Sequence, residues 1–95
     1  ESIAVDKAFM GTIGFTLSDG MSTTDANEAF TKEQVMRRAK QVILLADYSK
    51  FGTRSLVRCR LDRPLDVLIT NAIDDKLRQA LVDLGTEVVV SDGSC

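Results

Sequence analysis

The stretch Val42-Ile43-Leu44-Leu45-Ala46-Asp47-Tyr48-Ser49-Lys50-Phe51-Gly52 decides the fold. Five apolar residues run unbroken from Val42 to Ala46, the pattern of a strand covered on both faces, as parallel strands are. Asp47, Ser49, Lys50 and Gly52 end the run abruptly. Polar groups and a glycine just past the carboxyl end of a buried parallel strand lie where α/β sheets bind ligands. Spacing alone favours the plainer reading, a strand running into a solvated turn.

Working toward the amino terminus, a helix ends near Lys40 and begins near Asp25. Asp25 and Glu28 fit a D-x-x-E capping box, with Thr24 as the alternative cap. Glu28, Lys32, Val35 and Ala39 form one stripe, with Val35, Met36 and Ala39 facing the sheet. Glu28 and Lys32 would then point to the same side, toward the strand tips, although they also fit an ordinary i,i+4 surface pair. Before the helix, Thr16 to Thr24 reads as a loop with Ser18-Asp19-Gly20 as its turn. Ile3 to Met10 reads as a strand interrupted by Asp6-Lys7. A charged pair there belongs either on an exposed edge or in a cleft with a partner.

Toward the carboxyl terminus, Leu56 to Leu61 alternates, with Val57, Cys59 and Leu61 on one face and Arg58 and Arg60 on the other. That is a half-exposed strand near an edge, broken by Arg63-Pro64. Asp66 to Thr70 is a short buried strand. Asp74 or Asp75 opens a second helix, whose Ile73, Leu77, Ala80, Leu81 and Leu84 share a face and whose C′ position falls on Gly85. Glu87 to Val90 is the last strand, and Ser91 to Cys95 a tail. Strands alternating with helices predict an α/β, Rossmann-like fold, a mostly parallel sheet flanked by helices.

Composition narrows the function. The chain has 95 residues, 44% hydrophobic and 27% charged, which suits one small globular domain. A net charge of −2 and a pI of about 5.0 argue against nucleic-acid binding by these residues. Arg37, Arg38 and Lys40 read as a solvated helix end. The absence of histidine excludes Ser-His and Cys-His catalytic pairs and histidine metal sites. Cys59 reads as a core thiol and Cys95 as part of the tail. Two distant cysteines, no signal peptide and no membrane-length apolar run suit a cytoplasmic protein with no membrane partner. Neither G-x-G-x-x-G nor a P-loop is present, and no cofactor or metal is expected.

The segments V-D-K-A-F-M-G, G-M-S-T-T-D-A-N-E-A-F-T-K, V-I-L-L-A-D-Y-S-K-F-G, D-V-L-I-T-N and G-T-E-V-V-V occur in the order found in DeoR-type bacterial regulators. L-A-D-x-S-K-F-G is the most specific. The chain resembles the effector-sensing domain of that family, whose fold is similar to ribose-5-phosphate isomerase and the CoA transferases. The resemblance implies an incomplete domain: the C-terminal part of a sensor, without its first half or the N-terminal winged helix-turn-helix that binds DNA. It also implies a phosphorylated sugar or similar metabolite as effector. The candidate effector-binding residues are Asp6, Lys7, Glu28, Lys32, Asp47, Ser49 and Lys50. Where the family more often shows L-I-T-D, this chain has Asn71.

The rival is a sugar-phosphate isomerase of the same fold, whose proton transfer needs a base, usually a carboxylate. In ribose-5-phosphate isomerases a glutamate precedes the D-x-S-K lysine in the corresponding helix. Counting back from Lys50 places Lys32 there. A protonated lysine is a poor base at neutral pH, so no catalytic residue is assigned. Unpaired sheet edges in a partial domain predict homo-oligomers.

Overall fold

The computed structural model describes residues 5–91. Ile3 and Ala4 of the expected first strand, and Cys95, lie outside them. Four strands form an all-parallel sheet in the order β1 (Val5–Met10), β4 (Ala39–Leu45), β6 (Val67–Thr70), β7 (Glu87–Val90). Helix α1 (Ala26–Arg38) precedes β4, and α2 (Asp75–Asp83) connects β6 to β7. Three shorter strands, β2 (Gly14–Thr16), β3 (Gly20–Thr23) and β5 (Val57–Cys59), form a separate antiparallel sheet.

The apolar run Val42–Ala46 lies in the centre of the parallel sheet, as its pattern predicts, but the expected cover on both faces is incomplete, because Leu45 is 45% exposed. Val42 and Leu44 are fully buried and cluster with Ala8, Met10 and Leu68 from neighbouring strands, Ala29 and Met36 from α1, and Leu81 from α2. Asp66 ties β4 to β6, because its carboxylate accepts the Val42 N–H at 2.7 Å. Helix α2 closes as expected: the N–H of Gly85 reaches the Val82 carbonyl and that of Thr86 the Leu81 carbonyl, the paired bonds of a Schellman ending.

Three expectations are corrected. The region Thr16 to Thr24 is not all loop: Ser18-Asp19-Gly20 turns a hairpin whose second arm, β3, buries Ser22 and Thr23. These polar side chains are satisfied by distant partners, which local pattern cannot show. The Ser22 hydroxyl accepts the Ser55 N–H at 2.8 Å. The alternating segment around Cys59 joins this hairpin rather than the parallel sheet. Finally, α1 stops at Arg38, and β4 begins at Ala39 because Ala39 and Gln41 pair with Val5 and Lys7 of β1. Val35, expected against the sheet, is therefore an exposed helical residue, while Ala29 and Met36 pack inward.

Gly14 lets β2 lie close against the chain beyond β4. A Cβ at that position would clash with the Thr53 carbonyl, so only glycine permits this approach. The chain beyond β4 is anchored to β2 in the same region: the Gly52 N–H donates to the Phe15 carbonyl at 2.8 Å, and the two phenyl rings of Phe15 and Phe51 meet edge-on.

Candidate functional site

The carboxyl ends of β1 and β4 are neighbours, since Met10 pairs with Leu44. Just past β1 is a closed polar cluster. Lys32 donates to the Gly11 carbonyl at 2.8 Å and stands 3.9 Å from Glu28. Glu28 in turn accepts the hydroxyl proton of the buried Thr23. The helix start explains this arrangement. Asp25 is the N-cap, extended in backbone and accepting the Asn27 N–H at 2.8 Å. The first turn thus sets Glu28 beside the end of β3, and the next brings Lys32 over Gly11. Both charged members of the expected stripe reach the strand tips, and their charges are satisfied by each other and by the fold.

Past β4 the chain makes a single 3₁₀ turn, Tyr48–Lys50. Asp47 accepts the Ser49 hydroxyl at 2.6 Å, a bond that fixes the start of the turn. Asn71, past the tip of β6, accepts the Tyr48 N–H at 2.8 Å, and the Tyr48 hydroxyl lies 3.4 Å from Asp74. Gly52 leaves the turn at φ +80°, a left-handed conformation that suits glycine. Lys50, half-buried within this frame, forms no hydrogen bond or ion pair through its ammonium group among the described residues.

Asp6 and Lys7 do not join this group. Asp6 lies near the amino end of β1, exposed, with its carboxylate 3.6 Å from Lys40. Lys7 pairs in register with Gln41, also far from the strand tips. Of the two placements open to this pair, the structure has the exposed edge. An exposed ion pair of this kind contributes about 0–1 kcal/mol.

The sequence reading also missed contributors. Asn71 does with an amide oxygen what a carboxylate could do at that position, so the missing charge costs the turn no hydrogen bond. Thr23 and the Gly11 carbonyl carry no signal before the fold is known, because both act through long-range contacts.

Two hollows flank these residues. The larger, about 520 Å³, lies between the hairpin sheet and α2; Arg37, Arg58, Arg60 and Arg63 line it, and none of the strand-tip candidates does. The smaller, about 300 Å³, adjoins the 3₁₀ turn and is lined by Phe15, Tyr48, Phe51, Gly52 and Asp74, with Asp74 its one charged residue. Volume and positive charge both favour the first, and Lys50 lines neither. Glu33 faces the larger hollow and accepts the Arg60 N–H at 2.7 Å. Burial pushes the nearby Cys59 thiol above its ordinary pKa; Lys32 opposes that shift, while Glu33 and Glu28 add to it. No cluster of metal-ligating side chains occurs among the described residues, and no helix there is long and apolar enough to cross a membrane.

The family model of the DeoR C-terminal sensor domain matches residues 1–72. The chain belongs to the DeoR sensor-domain family. The HTH-type transcriptional regulator IolR of Bacillus subtilis is 37% identical over 76 residues, covering 79% of this chain and 30% of that protein. GlpR of Haloferax volcanii, another HTH-type transcriptional regulator, is 34% identical over 88% of this chain and 33% of its own length. The HTH-type transcriptional repressor GlcR of Bacillus subtilis is 33% identical over 96% of this chain and 35% of its own length. The chain therefore spans about a third of the length of these curated relatives. As a DeoR-type sensor domain it is a sensing module, and the relatives it resembles are named as regulators rather than enzymes.

Proposed function

We propose that this sensor domain binds a phosphorylated sugar or a similar anionic metabolite at the tips of β1 and β4, and that Lys50 meets its anionic group. The observation that carries this reading is Lys50, a half-buried residue whose ammonium has no hydrogen-bond or ion-pair partner among the described residues, set in a turn whose other polar groups hold one another. An ammonium supplies a point charge to phosphate without needing the fork geometry of arginine. Asp47 and Ser49 position the turn and offer hydroxyl-bonding groups. Glu28 and Lys32 supply a second polar wall; Glu28 is half exposed and open to sugar hydroxyls. Asp6 and Lys7 have no part in this site.

In the whole regulator, binding here would alter operator affinity through a separate helix-turn-helix domain in a cytoplasmic homo-oligomer. Turnover is not expected. The position of the isomerase base carries Lys32, whose ammonium is bonded to a backbone carbonyl, and the adjacent Glu33 faces the other hollow. The test assays the whole regulator with pentose and hexose phosphates. Operator affinity should respond to at least one of them, with no isomerisation above background. Turnover that disappears in Glu33→Gln would assign the fold to its enzymatic relatives instead.

A further inference from the structure

The larger hollow has no part in the strand-tip site, and its charge runs against that of the chain. The net charge is −2, yet four of the seven arginines, Arg37, Arg58, Arg60 and Arg63, line this one hollow, and no lysine does. Two of the four are held by the fold. Arg63 donates to the Ala39 carbonyl at 3.0 Å, and Arg58 donates through Nε to the Asp19 carbonyl at 3.3 Å. The guanidinium groups of Arg37 and Arg60 bond to nothing among the described residues. Three acids also line the hollow, and two of them are engaged. Asp19 pairs with Arg54, which lies outside the lining, at 3.2 Å, and Glu33 accepts the Arg60 N–H at 2.7 Å. Two free guanidinium groups thus stand against one free carboxylate, that of Asp62.

The floor is apolar. Phe15, Met21, Cys59, Leu65 and Leu81 are buried there. Thr86, the buried hydroxyl among the lining residues, already donates to the Leu65 carbonyl at 2.8 Å. A sugar, polar all round, would lose water on this floor without gaining partners. A volume of about 520 Å³ lies within the roughly 300–1,000 Å³ of small-molecule sites. Guanidinium forks match carboxylate and phosphate groups. We infer that this hollow is a second binding site, for a small organic anion with an apolar body, whose carboxylate or phosphate meets Arg37 and Arg60.

The test titrates the whole regulator with anilinonaphthalene sulfonate, an apolar body with one anionic group, and with its uncharged parent, phenylnaphthylamine. Both dyes fluoresce more strongly in apolar surroundings. The sulfonate should bind saturably, about tenfold more weakly in Arg37→Gln/Arg60→Gln, as for the loss of a charged hydrogen bond, and more tightly in Asp62→Asn. The uncharged dye should not distinguish these variants. Lys50→Met should leave the titration unchanged, which keeps this result separate from the strand-tip reading. Absence of saturable binding, or equal affinity in wild type and the double arginine variant, would overturn the inference. Equal weakening of both dyes would also overturn it, by making the arginines shape the hollow rather than meet the anion. So would weakening in Lys50→Met, which would place the dye at the strand tips. If the double variant does not fold, Asp62→Asn decides alone, and unchanged affinity there overturns the inference.

Discussion

Two groups of charged side chains stand on neighbouring strand tips and are satisfied in opposite ways. Past β1, Glu28 and Lys32 bond to Thr23, to the Gly11 carbonyl and to each other. Past β4, Asp47, Ser49 and Asn71 shape a turn, and Lys50 is left without a partner among the described residues. The first group holds the amino end of α1 on the sheet. The second shapes a turn in which the Lys50 ammonium has no partner among the described residues. A lysine near a strand tip is therefore not by itself a ligand contact. The one we propose as the contact is the lysine whose ammonium the fold leaves unoccupied.

The largest stability effect should come from the frame that carries both groups. Gly14→Ala places a methyl against the Thr53 carbonyl and should cost about 3 kcal/mol, at the upper end for overpacking. A chemical-denaturation midpoint within error of wild type would show that β2 moves aside freely, so the turn would not be rigidly held. Next, Lys32→Met should cost about 1–2 kcal/mol, because it removes a charged hydrogen bond to Gly11. Lys50→Met should leave the midpoint nearly unchanged. Equal losses in the two variants would erase the distinction between the groups.

Asp25→Ala should cost about 0.5–2 kcal/mol through the lost cap, loosening the α1 end that carries Glu28. An unchanged midpoint would show that the first turn is held by Glu28 and Thr23 instead. The smallest effect concerns pH. The buried Cys59 thiol ionises above its ordinary value of 9.0. Its contribution is complete below the unfolded value and is lost as pH rises through the folded one. In a Cys95→Ser background, stability should thus fall less steeply above pH 9.0 in Cys59→Ala than in its parent. Identical slopes would place the thiol in water.

Much of the parallel sheet was legible because its strands are short apolar runs bounded by turn residues. Val42–Ala46 and Val67–Thr70 show this most clearly. The hairpin was not legible. Its arms are three and four residues long, and Ser22 and Thr23 look like loop residues until Ser55 and Glu28 arrive from elsewhere. Helical spacing put Glu28 and Lys32 on one side at the strand tips, where the structure has them, and the D-x-S-K pattern put Lys50 in the turn past β4; their part in effector binding is our proposal. Asp6-Lys7 could not be placed the same way. Alternation along a strand shows which face a residue takes, whereas its distance from the functional end depends on register with β4. That register also starts β4 three residues before the apolar run, at Ala39.

The most direct test of the account is operator affinity of the whole regulator with and without a panel of sugar phosphates, compared between wild type and Lys50→Ala. The account predicts that the variant needs roughly ten- to hundredfold more of the active metabolite, as expected for the loss of one charged hydrogen bond. Affinity without metabolite and thermal stability should match wild type. An unchanged response at the same metabolite concentration would remove Lys50 from the site. Loss of operator binding together with a collapse in stability would make the turn a structural element and contradict the central claim.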